Sequence, residues 1–340
     1  MNELHSNGHV DWRATLQTNQ RKTIVIIGLF VFIYLALGFL LDLYIHGAFE
    51  QNRFQSVFYS LIHFQMIPMA TITMGGVAII ALLITYTLHD QIMLLGTQYH
   101  EVTARNANSF EEEQLYHVVE EMKIAASLNY MPKVYIIEAD YMNAFASGYS
   151  EKSAMIAITR GLLKKLDRSE LQAVIAHELS HIRHGDIKLT LTASVLSNLM
   201  LIVLDIFFYN IIFGRGDSDR GKNNLFLILI LLRYLLPLIM VLLILFLSRT
   251  REYMADAGSV ELMRDNTPLG KALLKISQDH DINYINYQKA YGRTKHEEIR
   301  SAAYIYDPTT SGLHPLKSFS SFFSTHPSLA DRLKAIGFDT

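Results

Sequence analysis

Long apolar runs alternate along this chain with segments in which apolar and polar positions recur at helical or strand spacing. Four runs approach or exceed the roughly 20 residues that a helix needs to cross a bilayer. They extend over about residues 23–41, 67–88, 189–213 and 225–247. In the last two runs, apolar side chains occupy every helical face, which favours membrane spans over a buried hairpin of a soluble domain. The first run is too long for the apolar core of a signal peptide, so we predict an uncleaved anchor.

These runs divide the 340 residues into five predicted parts. Two transmembrane hairpins, residues 23–88 and 189–247, separate an N-terminal tail (residues 1–22), an α+β part (residues 89–188) and a C-terminal part (residues 248–340). The predicted fold class is mostly α, an integral-membrane protein with four transmembrane helices in two hairpins and a small α+β domain.

The distribution of basic residues predicts the orientation. Arg13, Arg21 and Lys22 precede the first apolar run, whereas the loop after it holds Arg53 against Glu50. Because loops rich in Lys and Arg stay on the cytoplasmic side, we expect both termini and both soluble parts to face the cytoplasm.

Capping signals and alternation define the elements of the α+β part. Ser109 followed by Glu112, and Asp167 followed by Glu170, have the spacing of capping boxes that begin helices. Three short strands are predicted at residues 134–138, 143–148 and 153–159. The helix that begins after Asp167 is predicted to end near Gly185.

The C-terminal part is predicted to begin and end with helix. A periodic segment extends from Ser248 to about Ile276, and residues 328–336 form a short amphipathic helix. Residues 277–325 are rich in Tyr, Ser, His and Asp, and they are predicted to form a long irregular region, either a lid or a disordered insertion.

Composition narrows the range of functions. Half of the residues are hydrophobic, the mean hydropathy is +0.19 and 18% are charged, against about 25% in a typical soluble domain. A net charge of −2 without a basic run makes nucleic acid an unfavourable partner. The absence of cysteine excludes disulfides, thiol catalysis and Cys-ligated metal, so that His and carboxylates remain as metal ligands.

Two charged residues lie inside the last two apolar runs. Asp205 and Arg233 are equally far from the connecting loop, so an antiparallel hairpin would place them at similar depth. We predict a structural ion pair between them, with independent snorkelling to the headgroups as the alternative.

The segment His177-Glu178-Leu179-Ser180-His181 carries the strongest chemical signal. Two histidines four residues apart project from one helical face and can bind one metal ion from the same side. The glutamate beside the first histidine is placed to take a proton from water. His184 lies on a similar face and is interpreted as a residue beside the site or in solvent, not as a ligand.

A catalytic zinc site needs a third protein ligand, and Glu252 is the best candidate because it lies in a helix-prone segment. Asp256 follows four residues later on the same face and is predicted to accept the ring N–H of a ligand histidine, with His177 favoured. The alternative is that Arg249, Arg251, Glu252 and Asp256 form surface ion pairs.

Three motifs in this order resemble the HtpX-like membrane zinc metalloproteases, which are related to the CAAX prenyl proteases and, in their core, to thermolysin-like gluzincins. They are His177–His181 with Gly-Asp after it, Ser-Arg-Thr-Arg-Glu-Tyr-Met-Ala-Asp at residues 248–256, and Thr-His-Pro at residues 325–327. The resemblance covers the chain from the first apolar run to the C-terminus. It implies one Zn2+ per chain, held by His177, His181 and Glu252 in a zincin-like catalytic domain, with Glu178 as the general base.

Further roles are implied by the same resemblance. Asn143 and Ala144 resemble the edge strand with which gluzincins pair an extended peptide substrate; an ordinary edge strand is the alternative. His326 and Arg332 match the His-Pro and downstream Arg of the family, which implies that one or both face the oxyanion of the tetrahedral intermediate. Ser328 stands where the family commonly has a second proline.

The resemblance also implies a cellular role. The expected function is zinc-dependent endopeptidase activity in the bacterial inner membrane, with the catalytic part facing the cytoplasm, in membrane-protein quality control and the stress response. The expected partners are misfolded membrane proteins or unfolded polypeptides as substrates, the lipid bilayer, and other membrane proteases. Two alternatives stay open: a CAAX-type prenyl-peptide protease and a non-catalytic membrane scaffold.

Overall fold

The computed structural model describes residues 12–48, 53–188, 249–294, 303–307 and 326–338, with isolated positions between them. The predicted third and fourth membrane spans lie almost entirely outside the described residues. Arg233 also lies outside them, so the ion pair predicted with Asp205 stays a prediction.

The described residues are mostly helical, with one small sheet. The helices are α1 (Trp12–Ile45), α2 (Phe54–Ile62), α3 (Met69–Thr87), α4 (His89–Leu94), α5 (Phe110–Ala125), α6 (Arg160–Lys165), α7 (Arg168–His184), α8 (residues 249–263), α9 (Thr267–Ile282), α10 (Tyr284–Arg293) and α11 (Leu329–Ala335). The strands are β1 (Tyr99–Val102), β2 (Lys133–Ile137), β3 (Ala144–Ser147) and β4 (Met155–Thr159).

The chain forms two compact units. One contains Ile24–Thr87 and Thr192–Leu243, and the other contains Met1–Thr23, Leu88–Leu191 and Ile244–Thr340. The first unit therefore holds the apolar runs, and the second holds the sheet and the chemically active motifs.

Two helices of the described residues are long and apolar enough to cross a membrane, Ile27–Ile45 within α1 and Met69–Thr87, which is α3. A single carboxylate joins them. Asp42 is 1% exposed, and its two oxygens accept hydrogen bonds from the backbone N–H groups of Ala70 and Thr71 at 2.9 and 2.8 Å. Because those donors have no partner within α3, Asp42 caps the start of that helix from its neighbour.

Asp42→Ala is expected to lower the free energy of unfolding by about 2 kcal/mol, because two part-buried N–H donors at the start of α3 lose their acceptor. Chemical denaturation in detergent measures the change. Asp281→Ala, which removes an exposed carboxylate on α9, is the matched control. Equal stability of the two variants would show that the cap contributes nothing.

The sheet has the strand order β1-β2-β4-β3. β2 and β4 are parallel, and the two outer pairs are antiparallel. The three predicted strands are confirmed, and β3 lies at the edge as expected. β1 was not predicted, because this strand is only four residues long and its residues are mostly polar and exposed. Apolar residues of α5, α7, α9 and the strands form one core beneath the sheet.

The capping signals differ in outcome. At α7 the box is complete: Asp167 accepts from the Glu170 N–H and Glu170 accepts from the Asp167 N–H, both at 2.9 Å. At α5, Ser109 accepts from the Glu112 N–H at 3.3 Å. The Glu112 carboxylate, however, accepts from the N–H of Asn108 instead of Ser109, so only half of that predicted box forms.

The prediction of an irregular region from residue 277 onward is wrong for its first part. α9 continues to Ile282 and α10 ends at Arg293. The polar composition concealed a buried face, in which His280 and Tyr287 are 1% and 7% exposed. The remainder of this region is largely outside the described residues.

Candidate metal centre

α7 positions both histidines and the glutamate of the predicted motif. The helix ends at Gly185, which has a left-handed φ of 69° that glycine adopts at low cost. His177 and Glu178 are 0% and 1% exposed, so this face of α7 lies inside the protein.

α8 packs closely against α7. A Cβ at Gly258 would clash with the side chain of Ser180, and glycine therefore permits this close approach. Next to it, Ser259 Oγ donates to the Ala173 carbonyl of α7 at 2.7 Å. This contact brings Glu252 and the residues that follow it to the motif face.

Three donor atoms converge at this contact. The His177 and His181 Nε2 atoms lie 3.6 and 3.5 Å from the two Glu252 carboxylate oxygens. Donor atoms of these three residues all lie within 4.8 Å of one another. Nε2 of His177 and Oε2 of Glu252 are buried and form no hydrogen bond to the described residues. Polar atoms in that state are costly unless something binds them, so the three side chains fit a metal ion.

Each histidine also has a carboxylate on its other ring nitrogen. Nδ1 of His177 lies 3.0 Å from Oδ1 of Asp256, the partner favoured in the sequence analysis. Nδ1 of His181 lies 3.1 Å from Oδ2 of Asp186, a contact that was not predicted. The sequence feature that could have predicted this contact is the Gly-Asp pair at the end of α7. At the C-terminus of the helix, the chain turns so that Asp186 lies against the last turn of α7. Such carboxylates orient a ligand ring and fix its tautomer.

The surface-pair alternative does not hold for the α8 carboxylates. Glu252 and Asp256 are 4% and 0% exposed and face the histidines. Arg251, which is 7% exposed, donates to the Asp186 carbonyl at 3.4 Å.

Arg332 of α11 reaches the same cluster. Its Nε and Nη2 donate to the two oxygens of Asp256 at 2.8 and 2.6 Å, and its Nη1 donates to the Ile305 carbonyl at 2.6 Å. Nη1 also lies 3.7 Å from Glu252 Oε2. The guanidinium is therefore engaged in holding Asp256, which is a positioning contact; its predicted role at the oxyanion stays a prediction.

His326 and His184 differ in their relation to the centre. Nδ1 of His326 lies 3.3 Å from Glu252 Oε2, which places this ring beside the third ligand candidate. Its predicted contact with an oxyanion stays a prediction. His184 is 5% exposed and lies outside the His177, His181 and Glu252 cluster, beside the backbone of α8 at Gly258.

The electrostatics follow from burial and these pairs. Burial raises the pKa of Glu178 above its ordinary value. Burial alone would lower the pKa of His177, but Asp256 and Glu252 outweigh it and raise this pKa to about 9. Burial would raise the pKa of Glu252, yet His326 and His177 hold it well below its ordinary value. The opposite shifts of His177 and Glu252 therefore arise from the attraction between the imidazole rings and the carboxylates in this buried site.

The edge strand predicted to bind substrate is already partly covered. Residues 143 and 159 are hydrogen-bonded partners across β3 and β4, so alternate residues 144 and 146 turn their backbone groups outward. The Ala144 carbonyl accepts from the Ile305 N–H at 2.9 Å. A substrate strand at Ala144 would have to displace Ile305. Next to this bond, Phe145 forms an isolated antiparallel bridge with Tyr304.

Asn143 is engaged by the same segment. Its side chain donates to the Tyr306 carbonyl at 2.9 Å and accepts from the Tyr306 N–H at 3.3 Å, and it is 0% exposed. These bonds hold residues 305–306 against the sheet edge. The predicted role of Asn143 in substrate binding stays untested.

Asn143→Ala is expected to lower the free energy of unfolding by about 1–3 kcal/mol without any substrate, because the part-buried backbone N–H and carbonyl of Tyr306 lose their partner. Thermal unfolding of the detergent-solubilised protein measures it, with exposed Asn286→Ala as the matched control. Unchanged stability combined with a raised KM would instead support a direct contact with substrate.

Comparison with known proteins gives consistent matches. The family model described as peptidase family M48 matches residues 109–337. A protein from Helicobacter pylori, described as a protease HtpX homolog, is 39% identical over 326 residues, covering 96% of this chain and 98% of that protein. Another from Streptococcus uberis is 33% identical over 326 residues, covering 94% and 96%. The crystal structure of S. mikatae Ste24p is similar with a TM-score of 0.47 and 20% identity, over 90% of this chain and 66% of that one.

Proposed function

Since this chain belongs to peptidase family M48 and is related to the HtpX proteases, we propose that it is a zinc-dependent endopeptidase whose centre is formed by His177, His181 and Glu252. One observation carries the proposal. Donor atoms of two buried residues and the half-buried His181 lie within 4.8 Å of one another, while a carboxylate lies against the opposite nitrogen of each histidine. This donor set is typical of a catalytic zinc site with two histidines and one glutamate.

A bound zinc ion would supply Lewis-acid chemistry, making water more acidic and polarising the scissile carbonyl. The two histidines and Glu252 would hold it. His326, beside Glu252, is proposed to face the oxyanion of the intermediate.

Glu178 is proposed as the general base and acid. Its carboxylate is buried, and a backbone hydrogen bond from Ala146 of β3 acts on it in the direction that lowers its pKa. Burial raises its pKa, which is the direction that makes a carboxylate a better proton acceptor. It would take a proton from the attacking water and deliver it to the leaving amine.

The substrates are proposed to be cytoplasm-exposed segments of misfolded membrane proteins. This assignment rests on the HtpX relatives and on the two apolar helices of the described residues. We also propose that the protein lies in the bacterial inner membrane with its metal centre on the cytoplasmic side. Its proposed role is quality control of membrane proteins under stress, with other membrane proteases as partners. Casein is the unfolded-protein probe for this substrate class.

Two alternatives are separated by the same assay. Cleavage of a farnesylated peptide but not of casein would assign the protein to prenyl-peptide processing. Purified protein that contains no zinc and cleaves neither substrate would be a membrane scaffold.

Glu252→Ala is expected to lose tightly held zinc, because only two of the three protein ligands remain. Metal analysis after dialysis measures the stoichiometry, and casein cleavage should fall with it. Glu261→Ala is the matched control on the same helix, since Glu261 is 51% exposed. Stoichiometric, tightly held zinc in Glu252→Ala would rule out this residue as the third ligand.

A further inference from the structure

α2 (Phe54–Ile62) lies in the connection between the two helices that are long enough to cross a membrane. α1 ends at Ile45 and α3 begins at Met69. Because Asp42 holds the start of α3 against the last turn of α1, α2 is tethered at the same end of both helices. From the sequence this stretch was predicted to be a loop.

One apolar face of α2 packs within its own unit. Val57 and Leu61 are each 2% exposed and form a small core with Leu43 and Ala48. This contact fixes how α2 is rotated about its axis.

A second apolar face is partly exposed. Phe54, Phe58 and Ile62 follow one another at one-turn spacing and are 48%, 38% and 49% exposed. Tyr59 extends the same face and is 55% exposed. The opposite side carries polar residues, among them Ser56 and Ser60.

The exposed apolar surface continues beyond α2 towards α3. Phe64, Ile67 and Met69 are 76%, 65% and 63% exposed. From Phe54 to Leu88 the sequence contains no Asp, Glu, Lys or Arg. A surface of this kind is unfavourable in water by about 25 cal/mol for each Å² of apolar area, and it is continuous with the apolar sides of α3.

We propose that α2 is an interfacial helix that lies along the bilayer surface, with Phe54, Phe58 and Ile62 inserted between the lipid chains. Its tethering at one end of both apolar helices places it at the level of the headgroups. Aromatic side chains with an apolar body and a polar neighbouring face are favoured there. The partner is thus a lipid surface, and the inference goes beyond the proposed function because it does not involve the metal centre.

Single cysteines test this placement, since the chain contains none. Nitroxide labels are attached to Phe54→Cys and Ile62→Cys on the apolar face and to Ser56→Cys and Ser60→Cys on the polar face. The full-length protein is reconstituted into phosphatidylcholine vesicles, with and without phosphatidylglycerol. Power saturation then compares collision with oxygen, which enters lipid, and with a polar nickel chelate. A label at Ile80→Cys in α3 serves as the reference for a side chain in full contact with lipid.

Labels at positions 54 and 62 should collide several-fold more with oxygen than with nickel, and labels at 56 and 60 should show the reverse order. The difference should persist without anionic lipid, because apolar area rather than charge drives the insertion. Equal nickel access on both faces would overturn the proposal. Immobilised labels with dipolar broadening at 54 and 62 would also overturn it, since they would assign the face to a second copy of the chain.

Discussion

Glu178→Gln should reduce peptide hydrolysis by about 10²–10⁴-fold while leaving the metal in place. Glutamine keeps the size of the side chain but cannot take a proton from water or return it to the leaving amine. The residue is not among the three side chains whose donor atoms converge. Zinc stoichiometry should therefore stay at the wild-type value.

Casein cleavage and metal analysis on the same preparation separate these effects. Glu120→Gln, which changes an exposed carboxylate on α5, is the matched control and should cleave casein normally. Wild-type activity in Glu178→Gln would refute the proposed mechanism. Loss of both zinc and activity would show that Glu178 acts in metal binding and would equally contradict its assignment.

Arg332→Gln should destabilise the protein by about 3–5 kcal/mol, the range for removing one partner of a buried ion pair. Arg332 and Asp256 are 3% and 0% exposed in their side chains, and the guanidinium binds both oxygens of the carboxylate. Its loss leaves the buried Asp256 carboxylate with the His177 ring as its remaining described partner. We therefore also expect weaker zinc binding.

Denaturation and zinc titration measure both expected changes, with exposed Arg105→Gln as the control. The double variant Arg332→Gln, Asp256→Asn should cost less than the sum of the single changes, because the two side chains interact. Normal stability and zinc affinity with a lowered kcat would contradict the positioning role. That result would instead support the contact with the oxyanion that the family resemblance implies.

Much of the centre could be predicted because its signals are local. The Asp167 cap, the spacing of His177 and His181 and the stop at Gly185 depend on residues within one or two helical turns. The Glu252 and Asp256 pair could be proposed from its spacing of four. Burial of both carboxylates against α7 was needed to distinguish them from surface ion pairs.

Other contacts left no local trace. Ile305 pairs with Ala144 across a separation of more than 150 residues, and its own carbonyl accepts from Arg332. Nothing in the spacing around any of these residues identifies the partner. The exposed apolar face of α2 was not predicted for a related reason. In the sequence, the residues of this face and those of the buried face follow one another in one apolar run.

The sequence by itself determined the apolar runs, three of the four sheet strands, the helix that carries the motif and the residue types able to bind metal. These depend on periodicity and capping, which neighbouring residues specify. Only the tertiary structure decided that Asp186 supports His181, that Arg332 holds Asp256, and that residues 305–306 occupy the edge of β3. Those pairings depend on how closely the helices and the sheet edge pack. In this protein the absence of a side chain at Gly258, more than the spacing of any motif, lets α8 bring its carboxylates to the histidines.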